Sequence, residues 1–343
     1  MRLLNIFPLL FVSLIFAGAS FAQSATGTHY AVAFYNCENL FDYFDNPLTA
    51  DEEFTPGGKY HYTQKIYRQK LANIAAVIQK MDNGSGPAVI GLAEVENTTV
   101  LRDLTEQPAI RSRKYRYVLH DGPDPRGINV GLLYDPARFR VLNSAPLPVN
   151  ISTTGGKAVT RHVLHVTGIL AGDTLHILVN HWPSRRGGEE KSEEKRAIAA
   201  RVNKSTTDAL LRKNKNARII IMGDLNDNPT DNSISVILGA KADRGNVSTT
   251  GLFNPFASMH TSTTGTEVYR HRWNLFDQII CSGTLLTGKG LHFQEAEIFK
   301  PGFIIDTYKG HEGEPHRSFK GTYWINGYSD HFPVVVYLSG SRR

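Results

Sequence analysis

Apolar residues in this chain occur in short runs, some alternating with polar residues and some continuous. In residues 28–35, Tyr30, Val32 and Phe34 share one side of an alternating pattern, which is typical of a half-buried strand. Residues 88–93 form a continuous apolar run that predicts a buried strand ending at Glu94. The same reasoning predicts strands at 129–134, 163–170, 174–179, 218–222, 275–281 and 334–338, with a hairpin turn at 171–173.

Two longer segments have the period of an amphipathic helix. One has an apolar stripe that predicts a helix ending near Gly84, and its members are Tyr67, Leu71, Ile74, Ile78 and Met81. The other spans 190–212, where we expect Ile198, Val202, Ala209 and Leu210 to face inward and the Lys and Glu residues to be solvated.

The order of these elements indicates the fold class. Strands near both termini, with helices between them, predict a layered α/β sandwich rather than a helical bundle. Residues 23–343 contain no fixed-period repeat, low-complexity stretch or long linker, so we expect them to form a single compact domain.

Residues 1–22 have the three parts of a secretory signal peptide. Arg2 supplies the positive start, an interrupted apolar run extends to Phe16, and the segment 20–22 supplies small residues at the cleavage position. The run is shorter than the roughly 20 apolar residues of a membrane helix. We therefore expect cleavage near Ala22 and an exported protein, periplasmic or secreted, with no stable membrane insertion. An uncleaved membrane anchor is the alternative.

Polar residues suited to chemistry stand at or beside the ends of the predicted strands. They are Asn36, Glu94, His181, Asp224, Asn226, Asp330 and His331. Asp277 lies within the strand predicted over 275–281. Because loops at one edge of a sheet converge, these side chains are expected to share a site. Any one of them alone is more simply interpreted as a turn residue, since Asp and Asn are common in turns.

Five segments, taken in order, resemble motifs of the endonuclease/exonuclease/phosphatase superfamily, in particular its secreted bacterial, deoxyribonuclease-like members. They are FYNCENLFD at 34–42, GLAEVE at 91–96, NHWPSR at 180–185, GDLND at 223–227 and YSDHFP at 328–333. The match covers almost all of the chain after residue 22. The resemblance implies a four-layer α/β sandwich, in which two mixed β-sheets pack face to face with helices on the outside. It also implies a hydrolase acting on phosphate esters.

The resemblance further implies a hard divalent cation, Mg²⁺ or else Mn²⁺ or Ca²⁺, held by Asn36, Glu94 and Asp330. Oxygen ligands of this kind select these ions over zinc. Glu38, two residues after Asn36, would point to the same face of the strand and is a candidate further ligand. The thirteen histidines include no His-Glu-x-x-His spacing, which argues against a zinc enzyme.

Catalytic roles follow from the same resemblance. Asp224 would position the attacking water, and Asn226, on the same side of an extended segment, would donate to a phosphoryl oxygen. His331 would contact the scissile phosphate, with Asp277 holding its ring by a hydrogen bond. His181 would contact the phosphate or the leaving group, and its alternative is a histidine packed in the core.

Three arginines are candidates for binding the substrate phosphate. Arg185 and Arg186 precede two glycines in a basic loop, although a solvated surface pair is an equal alternative. Arg126 lies in a segment, 121–130, that resembles a loop near the active site of secreted bacterial members. Asn129 stands where that loop has an aspartate, so its role stays open.

The charge balance bears on the substrate. Lys and Arg number 38 against 32 Asp and Glu, a net charge of +6, which is compatible with a polyanion. With the arginine loop, it favours an exported endonuclease that binds DNA or RNA through backbone phosphates. We also expect a monomer. One alternative is a phospholipid or sugar-phosphate phosphodiesterase or phosphatase; an exposed apolar hairpin at 252–253 or 303–305 would favour lipid. A non-catalytic binding protein is a further alternative.

Two common catalytic motifs are absent from the sequence. The chain has no Gly-Lys-Ser/Thr phosphate loop and no Gly-x-Ser-x-Gly elbow, which excludes the nucleoside-triphosphatases and serine esterases that use them. Cys37 and Cys281 are too few for a disulfide scaffold, and we expect buried free thiols.

Overall fold

The computed structural model describes residues 28–152, 158–287 and 290–340. The predicted signal peptide therefore lies outside the described residues. The described α-helices are α1 (Gln64–Lys80), α2 (Thr98–Thr105) and α3 (Glu189–Lys213). The described strands are β1 (Thr28–Leu40), β2 (Val89–Val95), β3 (Arg116–Leu119), β4 (Asn129–Tyr134), β5 (Phe139–Leu147), β6 (Val163–Leu170), β7 (Asp173–His181), β8 (Arg218–Asp224), β9 (Ala240–Lys241), β10 (Leu252–Phe253), β11 (Glu267–Tyr269), β12 (Arg272–Asn274), β13 (Asp277–Ser282), β14 (His292–Ile298), β15 (Phe319–Lys320), β16 (Tyr323–Trp324) and β17 (Val334–Gly340).

Most of these strands belong to two mixed sheets. Sheet I has the order β14-β17-β1-β2-β4-β3, and sheet II has the order β5-β6-β7-β8-β13-β10-β9. The pairs β1–β2, β7–β8 and β9–β10 are parallel, and the other neighbours are antiparallel. Two small hairpins, β11–β12 and β15–β16, lie outside the sheets.

Three apolar clusters separate the layers. The cluster between the two sheets includes Phe34, Val179 and Met222. A second cluster packs α1 and α2 on the outer face of sheet I, and a third packs α3 on the outer face of sheet II. Because strands in such a sheet are covered on both faces, they are apolar on both sides, as the continuous runs indicated. The four-layer α/β sandwich predicted above is thus confirmed.

Several predicted elements lie where the pattern placed them. The strand predicted at 129–134 is β4, and the apolar stripe of 67–81 is the buried face of α1 and the residue after it. The hairpin at 171–173 is a two-residue turn, in which Ala171 (φ 53°) and Gly172 (φ 83°) both adopt the left-handed backbone conformation that this turn requires. Cys37 and Cys281 are buried and unbonded, as expected.

Two predictions about orientation were wrong. Ala209 is exposed, and α3 instead buries Arg196 and Asn203, whose polar ends are paired with Asp227 and Asn180. Asp277 is the first residue of β13 rather than an interior position, and so it lies at the edge of sheet II.

No helix in the part of the chain that the structure describes is long and apolar enough to cross a bilayer.

Candidate active site

The polar residues singled out from the sequence lie at one edge of the sandwich. β1, β2, β7 and β8 end there with Asn36, Glu94, His181 and Asp224 at or near their last residues. In sheet II, His181 pairs with Asp224, and Asp224 pairs in turn with Asp277. The antiparallel strands β13 and β17 begin at this edge, which adds Asp277 and, three residues before β17, His331. The ends of parallel strands and the starts of antiparallel ones therefore meet in one place.

Glu94 leaves the sheet through a bulge. The register of β2 shifts between Ala93 and Val95 on both of its neighbours, and Glu94 has φ 58°, in the left-handed region. For a non-glycine residue this conformation costs roughly 1–2 kcal/mol, and such cost is concentrated at functional sites. The bulge frees the carboxylate from the alternation of the strand. The backbone N–H of Asn39 donates to Glu94 Oε2 at 2.8 Å.

Three side chains, Asn36, His181 and Asp224, converge around the Glu94 carboxylate. Asn36 Nδ2 donates to Asp224 Oδ2 at 3.0 Å and to Glu94 Oε1 at 3.4 Å. His181 Nε2 lies 3.6 Å from Asp224 Oδ2 and 3.7 Å from Glu94 Oε1. His181 and Asp224 are buried, whereas the Glu94 side chain keeps 17% of its surface exposed, so the cluster has one accessible carboxylate.

His331 and Asp277 form the other half of the site. His331 Nδ1 donates to Asp277 Oδ2 at 2.7 Å, which leaves Nε2 as the free ring nitrogen, 3.9 Å from Asp330 Oδ1. The Asp277 side chain is fully buried. The backbone around His331 is fixed by Ser329, whose hydroxyl accepts from the His331 N–H and donates to the carbonyl of Asn36. The two halves of the site are thus tied to each other.

Burial and neighbouring charges drive the two histidines in opposite directions. Burial opposes protonation of His331, but the carboxylates of Asp277, Asp330 and Asp224 outweigh it and raise the pKa of His331 well above its ordinary value. Burial, together with nearby Arg161, lowers the pKa of His181 well below its ordinary value. Such separation of two like groups gives an active site one acid and one base.

Asn226 is held by backbone contacts. Its N–H donates to Asp224 Oδ1 at 3.0 Å, and its Nδ2 donates to the carbonyl of Trp182 at 3.1 Å. Asn226 has φ 49°, so the same-side argument for Asp224 and Asn226 in an extended segment was wrong. Asn226 instead closes a turn that fixes the Asp224 carboxylate.

Glu38 has different partners from those predicted. Glu38 (φ 49°) and Asn39 (φ 55°) are both left-handed, which ends the strand alternation that would put Glu38 on the face of Asn36. Glu38 Oε2 accepts from the Ser318 N–H at 2.6 Å, and the Ser318 hydroxyl accepts from the buried Lys70 Nζ at 2.6 Å. Burial, assisted by Asp330, raises the pKa of Glu38 to about 7. Glu38 is therefore part of a buried network behind the site.

Arg126 belongs to a chain of ion pairs, Arg126–Asp124–Arg161, of which the sequence predicted only Arg126. Asp124 accepts from Arg126 Nε at 3.2 Å and from Arg161 Nη1 at 2.9 Å. Arg161 is buried and also donates to the carbonyls of His181 (3.2 Å) and Trp182 (2.7 Å). Arg161 thus holds the backbone that carries His181. In the sequence, Arg161 is a single arginine shortly before β6, and it cannot be distinguished there from an arginine on the surface.

Asn129 ties the same loop to β2. Its Nδ2 donates to the carbonyl of Glu96 at 2.7 Å, and its Oδ1 accepts from the Gly122 N–H at 2.7 Å. An aspartate would lack the donor, which explains the amide at this position.

Arg185 and Arg186 differ. The Arg185 guanidinium is paired with Glu189, Asp227 and Asp231 at 2.6, 3.1 and 2.5 Å and donates to the carbonyl of Asn226. With four partners inside the protein, Arg185 braces the loop after Asp224 rather than reaching a phosphate as predicted. Arg186 is exposed and has no ion pair among the described residues.

The donor set at this edge fits a hard cation. Glu94, Asp224 and Asp277 are crowded, and burial together with the other two carboxylates raises the pKa of Asp224 to about 7. A divalent cation would offset this excess of negative charge, and the oxygens of Asn36, Glu94 and Asp330 suit Mg²⁺, Mn²⁺ or Ca²⁺. In the described part of the chain, no three His, Cys, Asp or Glu side chains are already arranged as a metal-binding group.

Comparisons with known proteins bear on the family and the fold. Residues 31–340 match the family model described as "Endonuclease/Exonuclease/phosphatase family". TDP2 from D. rerio, crystallised with a single-strand DNA product, superimposes with a TM-score of 0.57 at 14% identity, covering 91% of this chain and 99% of that one. A mannosyl-6-phosphatase from Bacteroides thetaiotaomicron gives a TM-score of 0.56 at 19% identity, covering 90% and 99%. No curated protein sequence is similar enough to this chain to count as a match. Because the family model spans nearly all of the described strands and helices, this chain belongs to the endonuclease/exonuclease/phosphatase family of phosphoester hydrolases.

Proposed function

We propose that the mature protein is an exported, divalent-metal-dependent phosphodiesterase that cleaves nucleic acid. The observation that carries the proposal is the meeting of Glu94, His181 and Asp224 within 3.7 Å, beside the 2.7 Å pair of His331 and Asp277. Cleaving a phosphate ester requires charge stabilisation at the phosphoryl oxygens, an oriented water and help for the leaving oxygen. These side chains can supply each requirement.

The residues divide the work according to their environment. Asn36, Glu94 and Asp330 would hold the cation, which when bound offsets negative charge on the phosphate. Asp224, fixed by Asn36 and Asn226, accepts a hydrogen bond from the attacking water.

The two histidines then face the phosphate in different protonation states. His331, kept protonated by Asp277, donates from Nε2 to a phosphoryl oxygen. His181 stays neutral, and Arg161 holds it against the leaving-group side.

Three features favour nucleic acid over lipid. The chain carries a net charge of +6, and Arg186 lies exposed beside the site without a carboxylate partner among the described residues. The apolar segments that would favour a lipid surface are largely internal. Leu252, Phe253 and Ile304 are buried, and only Phe303 of the two segments is exposed.

A substrate panel tests the proposal. Purified residues 23–343 are incubated with single-stranded and duplex DNA, RNA, sphingomyelin, mannose 6-phosphate and bis-p-nitrophenyl phosphate, each with Mg²⁺ or EDTA. We expect Mg²⁺-dependent cleavage of nucleic acid and of the small diester, with only the nucleic-acid rate falling as salt rises. His331→Ala should lose at least about 100-fold in rate. Turnover of the sugar phosphate or the lipid alone would refute the substrate assignment.

Export is tested separately. The full chain is expressed with its leader, and the N-terminal sequence of the extracytoplasmic protein is determined. We expect a new terminus at Gln23, and retention of Met1 in the membrane fraction would refute cleavage.

A further inference from the structure

A cavity of about 490 Å³ adjoins β11, the strand whose first residue, Glu267, forms a β-bridge with His331. Its walls come from the β11–β12 hairpin and from the segment 306–325. Among its lining residues are Tyr269, Arg270, Tyr308, His316, Arg317 and Lys320, and we refer to this set as the tyrosine groove. Neither the predicted catalytic set nor the predicted phosphate-binding arginines include any of these residues.

The tyrosine groove exposes aromatic rings to solvent. Tyr269 is 59% exposed and Tyr308 is 69% exposed, so both rings are accessible to a ligand in the groove. Each has a cation near its ring: Arg270 lies 5.3 Å from the Tyr269 centroid, and Lys320 lies 5.0 Å from the Tyr308 centroid. Exposed rings interleaved with cations are the arrangement by which proteins stack unpaired bases and hold the phosphates between them.

The charge in the groove is also available to a ligand. Among the described residues, Arg270, Arg317 and Lys320 form no ion pair. The two carboxylates in the cavity wall are already engaged: Asp306 accepts from the Tyr308 N–H at 2.7 Å, and Glu314 lies 2.9 Å from His311 Nδ1. The wall therefore carries three cationic side chains against two carboxylates, an excess of positive charge that favours a polyanion over a neutral ligand such as an uncharged sugar.

Backbone contacts connect the groove to His331 and to the buried network behind the site. Glu267, the first residue of β11, forms a β-bridge with His331, and β11 continues for about 7 Å to Tyr269. On the other wall, Ser318, which follows Arg317, donates its N–H to Glu38 behind Asn36. A strand whose scissile phosphate reaches His331 would therefore place its neighbouring nucleotides in the groove.

We infer that the tyrosine groove is a subsite for a single-stranded segment of the nucleic-acid substrate, with bases stacked on Tyr269 and Tyr308 and phosphates held by Arg270, Arg317 and Lys320. A paired duplex offers no free base faces to these rings, so the subsite selects unpaired DNA or RNA. This inference rests on the proposed function, because it assigns the substrate class of that same site.

Variants of Tyr308 test the stacking. The measurement is kcat/KM for a single-stranded oligonucleotide divided by kcat/KM for bis-p-nitrophenyl phosphate, which is too small to reach the groove. We expect Tyr308→Ala to lower this ratio at least about fivefold, and Tyr308→Phe, which keeps the ring, to retain it. An unchanged ratio in Tyr308→Ala would overturn the inference. An equal loss on both substrates would also overturn it, since it would indicate a structural role.

Charge variants test the phosphate contacts. Lys320→Gln should reduce the slope of log affinity against log salt by about 1 for a labelled oligonucleotide in EDTA, measured by fluorescence anisotropy. Lys215→Gln is the matched control, because Lys215 is an exposed lysine just before β8, at the opposite end of the sheet from Asp224. Equal slopes for the two variants would count against the groove.

The two proposals fail in different ways. If the wild type cleaves neither an oligonucleotide nor the small diester, the proposed function is wrong, whereas Tyr308-dependent oligonucleotide binding in EDTA would still support the groove. If the wild type cleaves oligonucleotides but the Tyr308→Ala variant binds them with the same affinity, only the groove assignment is wrong.

Discussion

The hydrogen bond between Asp277 and His331 gives the sharpest single prediction. Asp277→Asn keeps the size of the side chain but replaces a buried carboxylate, 2.7 Å from His331 Nδ1, by a neutral amide. A charge-assisted bond of this kind contributes about 1.5–3 kcal/mol, against about 0.5–1.5 kcal/mol for a neutral one. The amide also no longer holds the ring protonated. The difference between the two bonds is about 1–1.5 kcal/mol, and about 1.4 kcal/mol corresponds to tenfold, so the weaker bond alone predicts a fall in kcat of about 5- to 13-fold. Loss of the protonated ring adds to this fall at any pH above the lowered pKa, so we expect kcat at neutral pH to drop at least about tenfold.

The pH dependence of this variant has a definite sign. In the wild type, the carboxylates around His331 keep its pKa well above the ordinary value. Removing the largest of them lowers that pKa, so the protonated ring is lost at lower pH. The alkaline limb of the kcat profile should therefore move to lower pH in Asp277→Asn.

The assay is Mg²⁺-dependent hydrolysis of bis-p-nitrophenyl phosphate between pH 5 and 9, with the melting temperature as a check on folding. Glu267→Gln is the matched control. Glu267 also lies near His331, but its carboxylate accepts from Asn274 rather than from the His331 ring, so we expect less than about a threefold loss. The reasoning is refuted if Asp277→Asn stays within threefold of wild type, or if Glu267→Gln falls as far.

Three further predictions concern stability and metal. Arg161→Met should lower the free energy of unfolding in urea by at least about 2 kcal/mol, because Asp124 then keeps only the more exposed Arg126 and the buried carbonyl of His181 loses its donor. Breaking the exposed Arg102–Asp103 pair by Arg102→Met should cost under about 1 kcal/mol, and equal costs would refute the role of Arg161. Burial, with His165 nearby, lowers the pKa of His176 to about 4. Between pH 6.5 and 4 the unfolded chain therefore binds a proton that the folded chain does not. As the pH falls through that window, the free energy of unfolding should decrease by on the order of 2 kcal/mol. His176→Gln should flatten this part of the curve, and an unchanged slope would contradict it. Finally, adding Mg²⁺ should raise the melting temperature of the wild type in a saturable way. We expect a Kd of about 1 mM, so the absence of a shift at about 10 mM Mg²⁺ would argue against a cation at the edge that carries Glu94.

Much of the fold followed from the sequence because the strands of both sheets are buried on two faces. Continuous apolar runs such as 219–222 then indicate a buried strand. Elements without such runs were missed. Helix α2 has only eight residues, β5 mixes polar residues with Pro146, and β14 lies at the edge of sheet I, where half of its side chains need not be apolar.

The candidate site was predictable where function depends on position at a strand end. Asn36, Glu94, His181, Asp224 and His331 all lie at the predicted edge. Two of the site predictions failed because they assumed an extended backbone. Left-handed residues reorient Glu38 and Asn226, and a hydrophobic pattern contains no information on such conformations.

Long-range polar contacts could not be predicted from the sequence either. Arg161 acts through Asp124 and the carbonyls of a distant strand, and Arg185 through carboxylates that follow β8. Sequence shows that an arginine is present, but the pairing depends on the folded arrangement.

The most direct measurement of the central claim is the Mg²⁺ dependence of oligonucleotide cleavage by Glu94→Gln compared with wild type. Glu94 carries the one accessible carboxylate of the cluster that joins Asn36, His181 and Asp224. We expect wild-type turnover that EDTA abolishes and Mg²⁺ restores, and a loss of at least about 100-fold in the variant with a higher Mg²⁺ requirement. Equal rates and the same Mg²⁺ dependence in both proteins would contradict the assignment of this edge as the active site.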